Sequence, residues 1–105
     1  MTDTITIPAD ATADIWETDS GHKYRVVRMI PRSIPEREDV LIISSAIQLE
    51  DGSYDDGSAD EPPLMFIESG GDRGLTIAQA RELAAEILSA ADELERLTGD
   101  APPSM

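Results

Sequence analysis

The chain has 105 residues, with 22 Asp and Glu against 8 Lys and Arg, one His and no Cys, so its formal charge is −14 and its pI is near 4.1. That length supports a single domain, 1–105, which buries roughly two thirds of the surface its unfolded chain exposes; the residue counts exclude a disulfide framework, a thiol nucleophile, a Cys-based zinc site and any cluster needing two imidazoles. A charge of this sign and size repels phosphate and anionic lipid, which argues against direct nucleic-acid or membrane binding and favours basic protein partners.

Residues 1–20 hold five acids and no base, residues 1–12 are expected to be flexible, and Met1–Pro8 has neither the basic nor the apolar region of a secretory signal. Ala13–Thr18, with Ile15 and Trp16, reads as a strand turning through Asp19-Ser20-Gly21, where Gly suits the left-handed position of a hairpin. A second strand, Tyr24–Ile30, lies in a basic zone: residues 21–37 hold Lys23, Arg25, Arg28, Arg32 and Arg37, five of the eight bases. Pro31 to Pro35 marks a turn. In the third strand, Val40–Leu49, one face carries Leu41, Ile43, Ser45, Ile47 and Leu49, and the other carries Val40, Ile42, Ser44, Ala46 and Gln48. The first set is the more apolar and is expected to face the core. Its longest aliphatic run, Val40–Ile43, is far short of the roughly 20 residues that cross a membrane.

Residues 50–63 form an acidic loop with two Asp-Gly turn signals. The first can close a tight hairpin, while the six acids and Pro62-Pro63 favour a mobile connector. Leu64–Glu68 reads as a fourth strand, ended by Gly70-Gly71. Leu75-Thr76-Ile77-Ala78-Gln79 has the order of a capping box, with Thr76 as cap and Gln79 reaching back to it. From there Ile77, Ala80, Leu83, Ala84, Ile87, Leu88, Ala91 and Leu94 fall within an arc of about 140°. The helix should end at Thr98, where Gly99 can turn left-handed and Pro102-Pro103 forbid continuation, and residues 99–105 should be flexible. The pattern predicts an α+β fold: an antiparallel meander of three to four strands packed on one long C-terminal helix.

No constellation commits the chain to chemistry. An EF-hand loop started at Asp51 finds oxygen ligands at Asp51, Ser53 and Asp55, but Gly57 falls one position late and Pro62 stands where the bidentate Glu belongs. Asp19, Ser20 and His22 are the three groups of a nucleophilic triad, yet neighbours in a tight turn do not point at one another in the required line. Their composition is that of a turn. The phosphate-cradling glycine patterns are absent, and with 22 acids no carboxylate pair stands out.

The segment Gly74–Leu94, following short strands with an Asp-Gly turn, resembles the ends of small uncharacterised Ala-, Asp- and Glu-rich proteins of actinobacteria and their phages. The resemblance implies an accessory protein with no catalytic residue to carry over, and the expected location is the cytoplasm, the host's if the chain is phage-encoded. The residues point the same way, to a non-enzymatic, cofactor-free protein working by protein–protein contact. Its expected contact surface is the outer sheet face, where Val40, Ile42 and Ala46 are partly exposed if one helix covers the sheet, and self-association through that face gives a homodimer. Arg25 and Arg28 are expected to pair with the protein's own acids or with those of a second copy. An alternative of another class is acidic mimicry: Glu82, Glu86 and Glu93 on the helix, with the acidic loop, imitate a nucleic-acid backbone and occupy the groove of a host DNA- or RNA-binding protein.

Overall fold

The computed structural model describes residues 6–69 and 73–99. Six strands and one helix follow in order: β1 Ala11–Ala13, β2 Glu17–Asp19, β3 His22–Met29, β4 Arg32–Ile34, β5 Arg37–Leu49, β6 Leu64–Ser69 and α1 Ile77–Thr98. Every pairing is antiparallel. β1 and β2 line up along β3, β3 and β4 along one edge of β5, and β6 along the other, since Ile42 is paired with both Arg32 and Ile67. The six strands are thus four tiers in sequence order, the expected meander with two of its tiers broken, and one C-terminal helix covers it.

Local chemistry explains the breaks. Pro31 has no N–H to give to the ladder, so the second tier is interrupted between β3 and β4, and the register with β5 shifts beyond Arg32. The β4–β5 turn at Pro35-Glu36 holds Glu36 at φ 65. The β2–β3 turn places Ser20 at φ 53 and Gly21 at φ 83, both central positions left-handed, the twist a two-residue hairpin requires. The strand expected over Ala13–Thr18 is split in two, and β1 begins at Ala11, inside the stretch 1–12 that composition marks as flexible. The rest of the expectation for the two ends, and the Gly70-Gly71 break, concern residues 1–5, 70–72 and 100–105, outside the described ones.

The helix follows its sequence closely. Thr76 Oγ1 accepts from Gln79 N at 3.1 Å, Gln79 Oε1 accepts from Thr76 N at 3.1 Å, and Gly99 ends the helix at φ 66. Its seating on the sheet reverses the expected face. Arg32 stands opposite Ile42 and reaches Glu86 and Glu93 of α1, which places the helix over the Val40, Ile42, Ser44, Ala46 side of β5. Ser44 and Ala46 are small enough to let α1 approach, with Ala90 pressed down to 1 % exposure. Val27, Met29, Ile34, Val40, Ile42 and Leu94 complete the core on this side, Ile47 is buried on the other, and each large side chain contributes roughly 1.5–3 kcal/mol on burial.

The helix also rolls relative to its apolar arc. Leu83, Ile87, Ala90, Leu94 and Leu97 turn inward, while Ile77, Ala80, Ala84, Leu88 and Ala91 are exposed, Leu88 at 67 %. The ion pairs to Arg32 account for the roll: drawing Glu86 and Glu93 toward β4 turns the opposite flank out.

Candidate functional site

Val40, Ile42 and Ala46, the expected contact residues, are at most 2 % exposed and lie beneath α1. They cannot touch a partner of the folded protein. The open face is the other one. It carries Leu41, Ile43, Ser45, Ile47 and Leu49 of β5, Tyr24, Val26 and Arg28 of β3, and Leu64, Phe66 and Glu68 of β6, as the pairings of Val26 with Ile47 and of Ile43 with Phe66 require. Ile47 and Ser45 are buried on this side, Leu41, Ile43, Tyr24, Val26 and Leu64 are half-buried, and Phe66 is 49 % exposed. Among the described residues, no helix lies over the more apolar side of the sheet.

Four of the five bases of residues 21–37, all but Lys23, are engaged by groups of the chain itself. Arg25 lies on the helix side, opposite Gln48; its Nε donates to Gln48 Oε1 at 2.7 Å and its guanidinium stacks 4.5 Å from the Trp16 ring centroid. Arg28 pairs with Asp14 at 2.7 Å across half-exposed side chains, an ion pair worth at most about 1 kcal/mol. Arg32 bridges Glu86 at 2.9 Å and Glu93 at 3.3 Å, which raises the guanidinium pKa, chiefly through the Glu86 hydrogen bond. Only Glu82 of the expected acidic line stays solvent-facing and outside this clamp.

Arg37, one of the five bases of the 21–37 zone, is buried at the start of β5. At 2 % exposure it makes a bidentate pair with Asp39, 2.9 Å on each arm, and donates to Gly74 O at 2.8 Å and Gln79 Oε1 at 3.3 Å. It pins the start of β5 to the entrance of α1. The hydrogen bond from Arg37 holds the Asp39 carboxyl down at about 2.

The acidic loop is a built turn instead of an open connector. Leu49 N donates to Ser53 O at 2.8 Å, Gly52 sits at φ 93, and Tyr54 bridges to Gln48, so the first Asp-Gly closes a hairpin. Beyond it the buried Asp55 carboxylate accepts four backbone N–H groups: Gly57 at 2.9 Å, Ala59 at 3.1 Å, Asp60 at 2.7 Å and Glu61 at 3.0 Å. Burial works to raise its pKa, and these four donors outweigh it and bring the pKa below the ordinary carboxylate value. The legible sign was the Asp55-Asp56-Gly57-Ser58 order, in which an Asp side chain caps its own turn two residues on.

This loop walls one end of the open face. An open cleft of about 770 Å³ lies between it and the β2–β3 hairpin, lined by Asp19, His22, Tyr24, Ile47, Leu49, Asp51 and Asp60 among others. Glu17 first, then burial, Asp19 and Asp60, raise the Tyr24 phenol. Asp19, Ser20 and His22 sit here with no side-chain hydrogen bond joining them, so no triad is assembled. Among the described residues no three His, Asp or Glu converge as metal ligands, and no described helix is long and apolar enough to cross a membrane. No family model, curated protein or solved structure matches the chain.

Proposed function

We propose that the protein is a non-enzymatic accessory module that binds another protein through the open face of its sheet. One observation carries this reading: the larger apolar residues of β5, together with Phe66, lie on the side that α1 leaves uncovered. A contiguous apolar surface of that kind marks an interaction site. Its acidic end, where Glu17, Asp19 and Asp60 surround Tyr24, suits a partner whose apolar patch is flanked by Lys or Arg.

Mimicry of a nucleic-acid backbone has less support. Glu86 and Glu93 are engaged by Arg32, and Asp55 turns inward, so the helix and the loop present a thinned row of charges. Capture from host lysate by the wild type and by Leu41→Gln, at low and high salt, separates the two readings. A partner retained in high salt and lost with Leu41→Gln is the expected result. Capture that ignores Leu41→Gln, is abolished by salt and is competed by DNA refutes the open-face reading and establishes mimicry.

A further inference from the structure

The two edges of the sheet are unequal. One is made of β1, β2 and β4, three residues each, with β1 and β2 separated by Asp14–Trp16, the short, broken form that blunts strand addition. The other is β6, six continuous residues, Leu-Met-Phe-Ile-Glu-Ser, with no Pro and no base, paired among the described residues with β5 alone. Phe66 is 49 % exposed on the open face and Ile67 48 % exposed on the helix face, so the edge is apolar above and below. Such an edge is a template for another strand.

We propose that a second copy of the chain occupies it, β6 against β6 and antiparallel, about a two-fold axis normal to the sheet at Phe66. Opposed residues of antiparallel strands point to the same face, so only registers that match like parity are allowed. Centred on Phe66, the pairing sets Phe66 against the partner's Phe66, Met65 against its Ile67, and Leu64 against its Glu68. The strand's one charge meets an apolar residue and never itself. Centring on Glu68 opposes two carboxylates, and centring on Met65 brings Pro63, which has no N–H, into the ladder. An isologous contact uses up both β6 edges, so growth stops at the dimer. Both helices then lie on one side and both open faces join on the other, with the two Phe66 rings at the centre. The pairing does not depend on which protein that face binds.

The test uses the full chain, in sedimentation equilibrium and in oxidative cross-linking. The wild type is expected at twice the 11.4 kDa chain mass. Because each copy carries −14, the dimer should tighten as NaCl rises from about 0.05 M to about 0.5 M, the reverse of a charge-driven complex. Ile67→Lys, a charge on an already exposed site, should weaken it about tenfold or more while circular dichroism is unchanged. Register is read with single cysteines in this cysteine-free chain: Phe66→Cys places two thiols about 5 Å apart at Cβ and should cross-link. Glu68→Cys places them about 14 Å apart and should not. A wild type that stays at 11.4 kDa up to about 1 mM, a dimer indifferent to Ile67→Lys, or cross-linking by Glu68→Cys in place of Phe66→Cys overturns the proposal.

Discussion

Asp55 is the residue on which the acidic loop stands, and Asp55→Asn tests that directly. Its Oδ1 takes the N–H groups of Gly57 and Ala59 and its Oδ2 those of Asp60 and Glu61. The amide keeps one oxygen for two of the donors and turns an NH₂ toward the other two, so near-identical size gives no relief. Charge-assisted bonds contribute roughly 1.5–3 kcal/mol each when fully buried, and rehydration of this exposed loop reduces that, so the loss is about 3 kcal/mol. For a domain of this size the melting temperature should drop by about 12 °C or more. Urea unfolding followed by the fluorescence of Trp16, the chain's single tryptophan, measures it, with Asp56→Asn as the control because Asp56 bonds to Ser58 alone beyond its own residue, through the Ser58 hydroxyl and through Ser58 N at 3.0 Å. If Asp55→Asn unfolds within about 0.5 kcal/mol of wild type, the carboxylate does not organise the loop.

The roll of the helix makes a paired prediction: Leu94→Ala, at 6 % exposure, should cost about 2–4 kcal/mol, and Leu88→Ala, at 67 %, less than about 0.5 kcal/mol in the same assay. Equal losses would contradict the seating of α1. The Arg37–Asp39 pair makes a prediction in pH. The folded carboxyl is depressed to about 2, so its contribution is fully present above the ordinary carboxylate range and is lost as pH falls through that range toward 2. The stability difference between wild type and Asp39→Asn should therefore be flat above about pH 5 and shrink steadily below it. A difference that grows on acidification would refute the pairing.

Much of this fold is legible because local rules and tertiary packing agree. The Thr76–Gln79 box, the Gly99 stop, the Ser20-Gly21 turn and the meander order all come from residues whose preferences need no distant partner. The face of β5 is not legible in that way. Both of its faces are apolar, so alternation identifies a strand without saying which side is covered, and summed hydrophobicity points to the Leu41–Leu49 side. The outcome is decided by two features that pattern-counting ignores. Ser44 and Ala46 give the helix room to sit, and Arg32, on the same side, holds Glu86 and Glu93 from a sequence distance no local rule reaches. Arg37 and Asp55 escaped for a related reason, since a charge run reads as a solvated surface until the fold supplies four amides to one carboxylate or a bidentate partner to one guanidinium.

The same internal pairing changes what the net charge of −14 means. Arg28, Arg32 and Arg37 all close on the chain's own acids, and Arg25 closes on Gln48 and Trp16, so the basic zone at 21–37 presents little free positive charge to a partner. Acids form a rim at one end of the open face, Glu17, Asp19 and Asp60 around Tyr24 with Asp51 beside them, while Glu82 is exposed on the helix, on the opposite side of the sheet. A surface with an apolar middle and a one-signed rim separates its partners by range. On the proposed reading such a rim would draw in a basic partner at long distance, and the uncovered apolar residues would supply at contact the affinity that salt does not screen. On the same proposal a second copy, which has the apolar strand but the same charge, would gain from added salt, whereas a basic partner would lose only the part of its affinity that the rim supplies.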